Sequence, residues 1–157
     1  FKKGVRPAIN VGTSVSRVGS SAQTKAMKKV SGHIRLELAQ FRELEAFMQF
    51  ASDLDDDTKS RIESGQKYVE LLKQKQNNPI PFYKQVVSIY AANNGLYAGA
   101  PVAQTQKIDV AFTEFVEREH GDVFTGIEKE KELTDEIIAK LNASIEAFKE
   151  SHAHLYT

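Results

Sequence analysis

The chain has 157 residues, of which 41% are apolar and 27% charged, with no Trp and four Pro, a balance outside the collagenous and disordered classes. Lys plus Arg equals Asp plus Glu at 21 each, so no net field draws the molecule to nucleic acid or to an anionic membrane. The absence of Cys excludes a disulfide framework, a thiol nucleophile and a thiolate metal site.

The length suits one ordinary domain with its own core and a small part of another. No apolar run approaches the roughly 20 residues that a spanning helix needs, so any work at a membrane is expected without direct insertion. The opening Phe1-Lys2-Lys3-Gly4 carries neither an initiator Met nor a signal-peptide pattern, and the sequence is expected to continue from an upstream segment.

From Phe1 to Thr24 the chain is rich in Gly, Ser and Val. Ala8-Ile9-Asn10-Val11-Gly12 reads as one short strand and Thr13 to Ser21 as a Ser/Gly loop. A lone strand leaves its backbone groups unpaired, which places the rest of its sheet upstream or in another chain. After Lys25 the pattern turns helical. Ile34, Leu38, Phe41, Leu44, Phe47 and Met48 recur at three- and four-residue steps and predict a long helix from Lys25 or Gly32 to Phe50. Asp53, Asp55, Asp56 and Asp57 suit a turn and the first turn of a second helix, Asp56 to Lys73, which buries Ile62, Val69 and Leu72 and has a weak point at Gly65.

Asn77 to Pro81 is a turn, and a shorter helix follows from Phe82 with Val86, Ile89 and Tyr90 inward until Asn93-Asn94-Gly95 ends it. Ala98 to Gln104 follow no clear pattern. A fourth helix, Lys107 to His120, carries Ile108, Phe112, Phe115 and Val116, and a last one carries Leu133, Ile137, Leu141, Ile145 and Phe148. The tail from Ser151 to Thr157 reads as frayed. The expected fold is mainly α: a bundle of about five helices after a non-helical strap.

The chain has no GxxxxGK[ST] phosphate loop, no GxGxxG, no HExxH and no Cys/His metal spacing. The close pair His152 and His154 lacks a third partner and reads as incidental. The strap presents a single Arg17 from its Ser/Gly loop. Read on its own, that residue is either a solvated surface cation or a group offered to a ligand or a neighbouring chain.

The strings Arg6-Pro7-Ala8-Ile9-Asn10-Val11-Gly12, Ser14-Val15-Ser16-Arg17-Val18-Gly19-Ser20 and Ala22-Gln23 resemble the alpha subunits of F-type ATP synthases. The resemblance continues through Leu36 to Glu43, Phe50 to Asp57, Glu70 to Gln74, Pro79 and Gln85 to Ala91. It is strong to Gly95 and only a helical pattern from there to Phe148.

The resemblance implies that residues 1–24 end a P-loop-type α/β nucleotide-binding domain and that 25–157 form a C-terminal helical bundle. It implies a part in ATP synthesis and hydrolysis coupled to proton transport, with no activity for this chain alone. Arg17 would reach into the nucleotide site of an adjacent beta subunit as an arginine finger, with Ser14 shaping its loop. Arg6, Pro7, Gln74 and Gln76 would form the adenine side of a non-catalytic ATP site.

ATP or ADP with magnesium is the implied cofactor, with magnesium ligands outside this chain. The implied partners are beta subunits, the upstream part of alpha, the central rotor stalk (gamma), which the Asp53–Asp57 loop would face, and a peripheral stalk. The implied location is the surface of an energy-coupling membrane. The rival readings are a free-standing helical interaction module and a self-sufficient ATPase, which the missing phosphate loop disfavours.

Overall fold

The computed structural model describes residues 5–9, 11, 15–48, 55–75 and 77–157, with Phe47 and Met48 described through their backbone alone. Asn10, Gly12, Thr13, Ser14, Phe50, Asp53 and Gln76, and the side chains of Phe47 and Met48, lie outside the described residues.

The described residues form α1 (Arg17–Ala22), α2 (Lys25–Met48), α3 (Asp56–Leu71), α4 (Phe82–Asn93), α5 (Thr105–Glu119), α6 (Gly121–Glu130) and α7 (Asp135–Ser151). Short 3-10 turns cover Val102–Gln104 and Ala153–Leu155. The mainly α expectation is met. No strand occurs among the described residues: Ala8 and Ile9 are irregular and Val11 lies in a turn, as befits an extended segment with no partner strand beside it.

Two expected gaps are helical. Arg17–Ala22, read as loop, forms α1 because Ser16 is extended and its Oγ accepts from the Gly19 N–H at 2.9 Å, closing the first turn. The stretch after His120 forms α6, which places Val123, Phe124 and Ile127 in the core and stops at Lys131, whose φ of 55° is left-handed. The tail is also ordered. Leu155 is buried, and the Tyr156 hydroxyl donates to the Leu96 carbonyl at 2.7 Å, where burial pushes that phenol up to about 12.

α2 packs on α3 and α4, α5 packs on α3, α6 and α7, and α4 also touches α6 and α7. The buried line of α2 is Ala26, Val30, Ile34, Leu38 and Phe41, a helical repeat whose first four members share one core with Val86, Val87, Tyr90 and Ala91 of α4, while the Phe41 ring lies against Gly65 of α3. Phe112 and Phe148 are fully enclosed with Ile108, Ile127, Leu141 and Ile145, and each such side chain contributes about 1.5–3 kcal/mol through the area it removes from water. The α3 glycine has a packing role: a Cβ at Gly65 would overlap the Phe41 ring, so the residue read as a weak point permits the close approach of α2 and α3.

Polar side chains buried inside the bundle are paired among the described residues, except Thr105 Oγ1, which is buried without a hydrogen-bond partner. Tyr68 donates to Asn93 Oδ1 at 3.1 Å, and Asn93 Nδ2 donates to the Val30 carbonyl at 3.0 Å, tying α3, α4 and α2 together. Tyr90 donates to Asn142 Oδ1 at 2.8 Å, joining α4 to α7. Lys67, with its side chain 9% exposed, holds Glu63 at 2.6 Å.

Asp109 is the costly member of this set. Burial holds its carboxyl above the ordinary 3.8, opposed by hydrogen bonds from Ser88 and from Tyr97, the latter at 2.9 Å. A carboxyl raised in the folded state favours folding most below 3.8 and costs stability once pH exceeds its folded value. Asp109→Asn keeps an oxygen for Tyr97 and removes the charge. The melting temperature of the variant is therefore expected to exceed that of the parent at pH 7, with the gap closing as pH falls towards 4. A gap that widens on acidification would contradict this.

Candidate functional site

The strap folds back over the α2–α3 pair. A cis peptide joins Arg6 to Pro7, and the Arg6 carbonyl accepts from the Gln74 backbone N–H at 2.9 Å, just beyond the C-terminal end of α3. Residues distant in sequence thus meet at one place. Between strap and helices lies a groove of about 870 Å³. Pro7, Ile9 and Val11 form one wall; Leu38, Phe41, Val69 and Leu72 form an apolar floor; Arg42, Glu45, Gln66, Glu70, Lys73 and Gln74 edge it.

The edge is supported from behind. Gln106 of α5 donates from Nε2 to the Glu70 carbonyl at 3.1 Å, and Lys73 forms an ion pair with Glu70. An apolar floor with a few convergent amide and charged groups is the arrangement that holds a planar, hydrogen-bonding ligand: the Gln74 amide offers a donor and an acceptor, and Pro7 a flat apolar cover.

Of the expected set, Pro7 and Gln74 line the groove together, while Arg6 meets Gln74 through its backbone carbonyl and is not among the lining residues. Gln76 lies outside the described residues. Gln66 and Glu70, not singled out from the sequence, also line the groove; with Gln74 they recur at four-residue steps, the spacing that puts residues on one helix face and its continuation.

Arg17 stands elsewhere. It does not line the groove, and it opens α1 from an exposed position. Its apolar neighbours Val15 and Val18 are 84% and 81% exposed, so the cation projects from a surface that this chain leaves uncovered. Ser14, assigned to the same loop, lies outside the described residues.

Asp55, from the acidic run, caps α3. Its side chain accepts from the Thr58 N–H at 3.2 Å and from the Thr58 hydroxyl at 2.5 Å, which holds the carboxyl below 3.8. Asp56 and Asp57 occupy the first turn of α3, where carboxylates complement the helix dipole. Among the described residues no group of three His, Asp or Glu could hold a metal ion, and no helix is long and apolar enough to cross a membrane.

Helical bundle, strap and groove define a class of protein. Residues 23–148 match the family described as ATP synthase alpha/beta chain, C terminal domain, and the chain belongs to that family. Within it the similarity falls to alpha subunits. The chain is 52% identical to ATP synthase subunit alpha of Frankia alni over 149 residues, which is 95% of the chain and 27% of that protein. It is 51% identical to the subunit alpha of Aquifex aeolicus over 150 residues, 96% of the chain and 30% of that protein. The subunit alpha of Sulfurovum sp. is 50% identical over 153 residues, 98% of the chain and 30% of that protein.

The chain thus spans a little under a third of the length of these relatives. The likeness read from the strap motifs is met, and it runs past Gly95 into the helices that showed only a helical pattern.

Proposed function

We propose that the chain serves as the C-terminal part of an alpha subunit in a proton-translocating F-type ATP synthase, and that its own contribution is to two nucleotide sites it does not complete alone. Residues 1–24 end the nucleotide-binding domain and 25–157 form the helical bundle behind it. The observation that carries this reading is the meeting of Pro7 and Gln74 in one groove, held by the bond from the Gln74 N–H to the Arg6 carbonyl.

The groove takes the adenine of a non-catalytic ATP. Pro7 and the apolar floor cover the ring, while the Gln74 amide, with Gln76 beside it in sequence, reads its edge. The triphosphate and its magnesium belong to residues beyond this chain. Arg17 acts on the other site, that of an adjacent beta subunit. A permanently charged, planar guanidinium can donate to two phosphate oxygens as charge spreads over the transferring group, which a Lys cannot reproduce. Ser14 shapes the segment that presents it. The partners are then the beta subunits, the upstream part of alpha, the gamma stalk near Asp55 to Asp57 and a peripheral stalk, at the surface of an energy-coupling membrane.

An ATP analogue with a photoreactive group on its base tests the groove in the assembled enzyme. The expected result is a label on the strap near Pro7 or on the segment around Gln74, reduced by Gln74→Ala and by competing ATP. A label confined to other subunits overturns the assignment.

A further inference from the structure

The outward side of α2 is built unlike an ordinary solvated helix face. Its inner line, Ala26, Val30, Ile34, Leu38 and Phe41, is buried, and the 3.6-residue repeat puts Gly32 and Leu36 on the opposite side. Leu36 is 57% exposed. Gly32 sits one turn before it, exposed, and a Cβ there would meet nothing within 4 Å.

Gly weakens a helix interior, and nothing among the described residues requires one at that position. The two residues form a hole and a knob one turn apart. Their surroundings are basic. Lys28, Lys29 and Arg35 are exposed and make no ion pair among the described residues; Lys25 reaches Glu132 at 3.1 Å; no acidic residue lies between 25 and 36.

We propose that this face docks an acidic helix of a neighbouring subunit, whose backbone approaches at Gly32 and whose carboxylates meet Lys28, Lys29 and Arg35. The charge fixes the sign of the partner, since a carboxylate-bearing surface gains where a like-charged one is rejected. The hole and knob fix its shape: a helix can seat a side chain over Gly32 and receive Leu36 between its own turns. Nucleic acid fits less well, because the one exposed ring beside this face, His33, sits 3.8 Å from the Glu37 carboxylate, which would repel a phosphate backbone. A bilayer fits less well because Leu36 is the one large apolar group the face offers among its described residues. The proposal rests on the reading above in one respect, that the chain works within a multi-subunit assembly.

The test uses the complete subunit and its assembled complex. Gly32→Leu and the pair Lys28→Glu with Arg35→Glu are compared with the parent, and a photocrosslinking residue is placed at Leu36. The melting temperature of the Gly32→Leu subunit is expected not to fall, because an added Cβ meets nothing among the described residues and Leu is the better helix former, whereas the yield of assembled complex drops by about tenfold or more in both variants. The crosslink is expected on an acid-rich helix of another subunit.

Assembly equal to the parent, a crosslink within this chain, none at all, or one on a segment without acidic excess overturns the proposal. So does an assembly left normal while binding to anionic vesicles or duplex DNA is lost. A parent that does not assemble with beta-type subunits overturns the proposed function as well, which separates that failure from this one.

Discussion

Arg17→Ala in the assembled enzyme is expected to lower steady-state ATP hydrolysis by about 10³-fold or more, the range over which arginine fingers act in phosphoryl transfer. The effect should fall on turnover and not on folding. Arg17 is exposed at the start of α1, the Ser16 cap that closes the first turn is untouched, and Ala is the best helix former. Nucleotide affinity at the groove should be unchanged because Arg17 does not line it. Arg17→Lys is expected to recover little, since an ammonium is a point charge without the planar fork. Hydrolysis measured with many sites occupied, alongside nucleotide titration of the same preparations, checks both halves. Turnover within a few-fold of the parent in Arg17→Ala removes this residue from the chemistry.

Phe148→Ala should give the largest loss of stability. Phe148 is wholly enclosed and sits edge-on to Phe112 at 5.4 Å and to Phe115 at 5.7 Å, with the His152 ring stacked on it at 4.2 Å. Truncation removes the common partner of three rings from α5 and α7 and leaves a cavity that packed helices cannot close. A cost of about 3–5 kcal/mol follows for a buried Phe, or on the order of 10 °C in melting temperature for a chain of this length. Thermal unfolding followed by circular dichroism measures it. A shift of about 2 °C or less would mean that the site relaxes around the smaller side chain.

Much of the bundle was legible because its helices are long enough for periodicity to dominate. Ile34, Leu38 and Phe41 of α2, Val86, Ile89 and Tyr90 of α4, and Ile137, Leu141, Ile145 and Phe148 of α7 are inward as their spacing predicts, while Ala26 and Val30 of α2 were not singled out and Leu44 is only half-buried. Asn94 with Gly95, at a φ of 78°, ends α4 where the turn residues placed it. The misses have physical causes. α1 is only six residues, three of them Gly or Ser, held by one cap, and α6 ends on a left-handed Lys131 where a Gly would have announced the stop. Gly65 was read for its propensity, while its role depends on a ring 24 positions away, at Phe41.

The tail was judged by its position, although Tyr156 finds a carbonyl 60 residues earlier. The site was half legible. Resemblance named Arg6, Pro7 and Gln74, but the groove beside them arises from the return of the strap, which no local pattern encodes. Gln66 and Glu70 enter only once that groove exists.

One backbone bond bears on how the chain is made. The Ala26 N–H donates to the Lys131 carbonyl at 2.9 Å, and beside it Lys25 reaches Glu132, so the first turn of α2 is fastened to the end of α6. As the polypeptide leaves the ribosome, α2, α3 and α4 emerge and collapse together first, through contacts of short sequence separation. Their earliest turn must wait until residue 131 has been translated and cleared the exit tunnel. The start of the bundle is thus completed late in synthesis, once Lys131 is free to accept this bond.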